Sequence, residues 1–195
     1  LSWKALHEVL RDKSRNILFN HLGLREDQMG LVIRPDCADL PYFLRAYFAF
    51  KMGLPFGYAK CTRGGAGEGP RCTAWWNIQN LEPAPVAPEQ EIAAAGGTMM
   101  DMFRQPVAPP APVATAPKGL SLAAAKRMGL APAFGHYLAR TVADGVHSGS
   151  GRTAAADDNT DYYPVALKEE TLRPGTVYAD PYGHLLVLVK RVPQS

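Results

Sequence analysis

A chain of 195 residues is long enough for one domain with a sizeable core, or for one domain carrying an insertion. With 47% apolar and 20% charged residues it has the composition of an ordinary globular protein, and its net charge of +3 comes from scattered basic residues that leave no electrostatic footprint for nucleic acid. No apolar run approaches the roughly 18 residues of a membrane span, so neither a nucleic-acid partner nor a membrane span is expected.

In chain order, residues 3–21 read as a helix. Trp3, Leu6, Leu10 and Ile17 recur near helical spacing, Val9 and Leu18 stand beside them, and Gly23 closes the segment. Leu31-Val32-Ile33 is a short apolar lead-in to the strongest helix, Asp36 to Met52. Leu40, Phe43, Leu44, Tyr47, Phe48 and Phe50 make that helix apolar on more than one side, which predicts burial. Pro41 is comfortable only in a first turn. Either the helix begins nearer Asp39, or the turn bearing Cys37 is irregular. Gly53 stops the helix, and Leu54-Pro55-Phe56 leads away from it.

Cys61 and Cys72 bracket a glycine-rich loop, which reads as a disulfide-tied hairpin or flap, and the Trp75-Trp76 pair beyond it as a short strand or pocket wall. The loop glycines are followed by neither Lys-Ser/Thr nor a helical pattern, so they do not spell a phosphate-binding loop. Residues 82–118 are an Ala-rich background broken by eight prolines from Pro83 to Pro117, a low-complexity insertion of extended chain within a single domain over 1–195. Met99, Met100, Met102 and Phe103 in its middle are placed to dock a turn on the body. Ser121–Met128 and Ala133–Val146 read as two short helices, and 147–161 as polar loop. At the C-terminal end Thr176-Val177-Tyr178-Ala179, the turn Asp180-Pro181-Tyr182-Gly183 and the run Leu185–Val189 predict a β-hairpin with a buried second strand, opened by His184.

Two residues carry the chemistry. Cys37 stands at the junction of the apolar lead-in and the long helix, between the candidate N-caps Asp36 and Asp39. A sulfur at the positive end of a helix dipole is in the setting that favours thiolate, the nucleophilic form. If Cys61 and Cys72 pair with each other, Cys37 is the odd thiol. The alternative is a buried cysteine acting as a small hydrophobe. Of the five histidines, His7 and His21 lie on the first predicted helix and His136 inside another, as packing or surface residues. His147 stands at a helix end, where it could line a pocket. His184, held rigidly at the start of a core strand, is the best candidate base. A downstream imidazole that takes the thiol proton and returns it to a leaving group, with backbone N–H groups around the cysteine to hold an oxyanion, is the logic of a thiol hydrolase.

Asp36-Cys37-Ala38-Asp39-Leu40, the apolar helix and Gly53-Leu54-Pro55-Phe56 resemble the cysteine-helix segment of transglutaminase-like cysteine peptidases. Asp36-Cys37, with Gly175-Thr176-Val177-Tyr178 and Gly183-His184-Leu185-Leu186-Val187, resembles the NlpC/P60 cell-wall peptidases. Both belong to the papain-like superfamily. Ala38-Asp39 stands where NlpC/P60 proteins carry Ser-Gly, and the long interval from Cys37 to His184 makes the Pro/Ala-rich stretch and the two following helices an insertion.

The resemblance implies an α+β fold in which the helix bearing Cys37 packs on an antiparallel sheet containing the 176–191 hairpin. It also implies a cysteine peptidase or amidase needing no cofactor and no metal, acting on peptide or peptidoglycan-like amides. Cys37 is then the nucleophile and His184 the base. Asp180, four positions before His184 across the turn, is the candidate orienting residue, with Asn159 and Asp161 as other options. Trp75, Trp76 and His147 are candidates to line the cleft. A bonded Cys61–Cys72 pair places the chain outside the cytosol, in a periplasm or secreted; a free pair leaves a cytosolic home open. The first rival is a domain that keeps this fold without activity and serves as a binding or scaffolding module. The second, a metal-binding protein, is disfavoured because no C-x-x-C or H-x-x-x-H spacing is present.

Overall fold

A computed structural model describes residues 5–29, 31–77, 127–154, 156–157 and 159–193. The readings at 82–118, the Met99–Phe103 turn and most of the predicted helix from Ser121 fall outside those residues. The elements in order are α1 (Leu6–Leu10), α2 (Asp39–Met52), β1 (Gly57–Cys61), β2 (Cys72–Asn77), α3 (Leu130–Tyr137), β3 (Val177–Ala179) and β4 (Leu185–Val187). The result is a small α+β fold. No described helix is long and apolar enough to cross a membrane.

The long first helix is not formed. Only Leu6–Leu10 is helical, and 11–29 is a succession of turns. The cause is side chains that compete with the helix for its backbone. Asp12 accepts from the backbone N–H of Ser14 at 2.9 Å, Asn16 accepts from that of Leu18 at 3.0 Å, and Asn16 donates to the carbonyl of Leu10 at 2.8 Å. Ile17, which completed the apolar pattern, is 94% exposed.

These turns wrap the far end of α2. Lys51 is buried, and its ammonium is ion-paired with Glu26 and, at 2.5 Å, with Asp27. The Tyr47 hydroxyl donates to Asp27 at 2.6 Å, and Asn16 donates to Tyr47 at 2.8 Å. The backbone N–H groups of Asn20, Leu22 and Leu24 supply the carboxylates' remaining bonds. Burial alone would raise the Glu26 pKa, but the Lys51 partner and the Leu22 N–H outweigh it and hold the carboxyl below its ordinary value.

The other face of α2 packs on α3, where Phe50 and Phe134 stack with ring centroids 4.2 Å apart. α3 runs on through a π-helical turn, Leu138–Val142, and a last turn, Ala143–Gly145. The Tyr58 hydroxyl of β1 donates to the Thr141 carbonyl in that π turn at 3.1 Å. Gly145 is required here, since a Cβ on it would lie 2.4 Å from the Tyr58 ring. Tyr42, Phe43, Tyr47, Tyr58, Leu138 and Val142, with Leu31 and Ile33 of the lead-in, make the core between these layers.

The strands form two separate antiparallel ribbons, β1–β2 and β3–β4, rather than one sheet holding the C-terminal hairpin. The outer edge of β1 explains the separation. The Gly57 carbonyl accepts from Arg45, the Ala59 N–H donates to Asp161 at 2.5 Å, and the Cys61 carbonyl accepts from His147 at 2.7 Å. Side chains occupy the groups to which another strand would pair. Cys61 and Cys72 are bonded, as the loop between them suggested. The C-terminal hairpin forms as expected, with Val177 opposite Val187 and Ala179 opposite Leu185. Its second strand is buried on one face only: Leu185 is 1% exposed and Leu186 50%.

Removing one member of a buried ion cluster leaves the others uncompensated. Lys51→Met is expected to cost about 3–5 kcal/mol, read as a lower urea midpoint at unchanged slope.

Candidate thiol–imidazole site

Asp36 sets the start of α2. One of its carboxylate oxygens accepts from the N–H groups of Ala38 at 2.8 Å and Asp39 at 2.9 Å, and its carbonyl accepts from Leu40 at 3.1 Å. Asp39 returns the favour, accepting from the Asp36 N–H at 3.3 Å. This reciprocal pair is a capping box with aspartate at both ends. Cys37 lies in the capped turn, one residue inside Asp36. Regular helix begins at Asp39, because Pro41 has no N–H to give to the Cys37 carbonyl four residues earlier. The Pro41 alternatives thus both hold: the regular helix starts late, and the cysteine's turn is irregular. The box takes up the N–H groups of Asp36, Ala38 and Asp39, and no described residue accepts that of Cys37.

His184 comes to this turn from the other end of the chain. Its Nδ1 lies 3.4 Å from Cys37 Sγ, across 147 positions of sequence. The ring is exposed, and the thiol is half-buried. The turn before β4 aims the histidine: Gly183, at φ +113°, donates to the Asp180 carbonyl at 3.1 Å, and Asp180 donates to the His184 carbonyl at 2.9 Å. With Nδ1 toward sulfur, Nε2 is the ring atom left for an orienting acceptor. The Asp180 carboxylate does not reach it but accepts from the Tyr182 N–H within the turn. Among the described residues none hydrogen-bonds to Nε2.

The other predicted residues have different occupations. His147 has both ring nitrogens engaged: Nε2–H donates to the Cys61 carbonyl at 2.7 Å, and Nδ1 accepts from the Gly149 N–H at 3.0 Å. It joins β1 to the turn at Ser148–Gly151. Trp75, 58% exposed, lies across the ribbon over Gly57, where a Cβ would meet its ring at 2.0 Å. Trp76 packs against the core, with the Lys60 ammonium 4.0 Å from its ring centre. Neither tryptophan hydrogen-bonds to or stacks on the Cys37–His184 pair. Asp161 holds the Ala59 N–H and pairs with Arg45 at 3.4 Å, and Asn159 donates its N–H to Asp157 at 3.0 Å. His7 is buried, donating to the Ile33 carbonyl at 3.0 Å.

What the sequence reading missed is the electrostatics of Asp39. Burial pushes its carboxyl up to about 6; the like charges of Asp36 and Asp144 add to the rise, and the Asp36 N–H opposes it. The Asp-x-x-Asp spacing advertised the cap, but nothing local announced that Asp144, more than a hundred positions on, would face it. Among the described residues no group of His, Cys, Asp and Glu is arranged to hold a metal ion. Comparison of the chain with protein-family models, with curated proteins and with solved structures finds no match.

The folded state keeps the Asp39 proton to higher pH than the unfolded chain does. Ionising it therefore costs stability as pH rises from about 4 to about 6. Asp39→Asn removes that cost and keeps the capping acceptor. It should match wild type below about pH 4 and exceed it at neutral pH by at most about 3 kcal/mol, in paired urea titrations.

Proposed function

We propose that this chain is a thiol amidohydrolase of papain-like type, acting on peptide amides through an acyl-enzyme. The observation that supports it is the approach of Cys37 Sγ to within 3.4 Å of His184 Nδ1. In this reading the imidazole takes the thiol proton as sulfur attacks the amide carbon. The Cys37 N–H, which the capping box leaves without an acceptor, donates to the oxygen as it gains charge. Collapse breaks the C–N bond, His184 protonates the departing amine, and water then releases the acid from the thioester. The resemblance to NlpC/P60 and transglutaminase-like peptidases favours peptidoglycan-type amides. The Cys61–Cys72 disulfide favours a compartment outside the cytosol.

A second reading is a binding module that has kept the fold without the activity. It is favoured by the Asp180 carboxylate, which is spent on the Tyr182 N–H and leaves the His184 ring without an orienting acceptor among the described residues.

Alkylation of Cys37 by iodoacetamide across pH, followed by mass spectrometry in wild type and His184→Ala, separates the two. The hydrolase reading expects fast labelling at about pH 6 that the substitution abolishes. Labelling that rises only near the free-thiol value of about 8.5, equally in both proteins, favours the binding module.

A further inference from the structure

The open end of the β3–β4 hairpin carries a feature unrelated to the thiol. Half-buried Leu172 and Leu188 line a cleft of about 370 Å³ together with four exposed basic residues, Lys168, Arg173, Lys190 and Arg191. That volume suits a small ligand or a short stretch of peptide. Arg191 is ion-paired with Glu169. Lys168, Arg173 and Lys190 have no carboxylate in ion-pair reach among the described residues. Glu169 lines the cleft as well, and with Glu170 it borders the adjoining hollow beside Arg173 and Arg191, so the positive excess of the cleft rests on Lys168, Arg173 and Lys190.

Two details decide the chemistry of the occupant. The cations come from two chain segments, 168–173 and 190–191, and three of them, Lys168, Arg173 and Lys190, are without a carboxylate partner among the described residues. Three such cations beside two apolar side chains suit a ligand that carries several carboxylates and an apolar group. The backbone beside them is also open. Leu188 donates to the Thr176 carbonyl at 2.9 Å, and beyond it no described residue pairs with the backbone of 189–191. Val189, in that stretch, is 77% exposed.

We propose that this cleft binds an acidic peptide segment. Its carboxylates lie against Lys168, Arg173 and Lys190, an apolar side chain rests on Leu172 and Leu188, and its backbone runs beside 189–191 as an added strand. By strand rise Leu188 is about 13 Å along the hairpin from His184, so binding here does not depend on whether Cys37 is catalytic.

The test is an amide NMR titration of the whole chain with a capped peptide of alternating glutamate and leucine. Saturable shifts at Leu172, Arg173, Leu188 and Lys190 are expected, weakening with added salt and lost in the Lys168→Glu/Lys190→Glu variant, whose spectrum also reports that it is folded. The absence of saturable shifts at these amides would overturn the proposal. So would retained binding in the double variant. An equal response to a lysine–leucine peptide would mean apolar adhesion alone, and an equal response to tripolyphosphate would mean a site for compact anions; either result also defeats it.

Discussion

The ammonium of Lys51 sits in the last turn of α2, away from water, with the carboxylates of Glu26 and Asp27 closed around it. A buried ion is tolerated only when its partners and their remaining hydrogen bonds are all supplied. Here the supply comes from the backbone N–H groups of Asn20, Leu22 and Leu24 and from the Tyr47 hydroxyl. A helix running through that stretch would spend those N–H groups on its own carbonyls. The irregularity of 11–29 is therefore what lets the charge be buried. In turn the charge fixes one end of the helix whose other end carries Cys37.

That coupling marks the limit of what could be read from the chain. The burial of α2, the hairpin at 177–187, the Cys61–Cys72 link and the strand holding the tryptophans rest on local periodicity and turn residues, and all were legible. Cys37 and His184 were also named together from the sequence, and the two side chains meet at 3.4 Å. The first helix failed because Leu6, Leu10 and Ile17 kept helical spacing while Asp12 and Asn16 kept helix-breaking hydrogen bonds. Periodicity counts the first and ignores the second. His147 and Asp161 were weighed as chemistry and proved to be fasteners, because their partners on β1 lie 86 and 102 positions away.

At the thiol, structure and charge pull in different directions. The capping box leaves the Cys37 N–H without an acceptor among the described residues, yet it is built from two carboxylates, and Asp144 adds a third. Burial keeps the Asp39 carboxyl protonated into the mildly acidic range. The anionic charge beside the sulfur therefore grows as the solution passes from acid to neutral. Any chemistry at Cys37 would be carried out in a field that its own helix cap adjusts.

The outer edge of β1 has a consequence beyond the separation of the two ribbons. Arg45, Asp161 and His147 cover Gly57, Ala59 and Cys61 from three different parts of the chain. A neighbouring molecule that presented a strand to this edge would have to displace all three at once. The flank of the disulfide-tied ribbon is thereby shut to self-association, and it stays shut only while the protein is folded, since the covering residues meet only in the folded state.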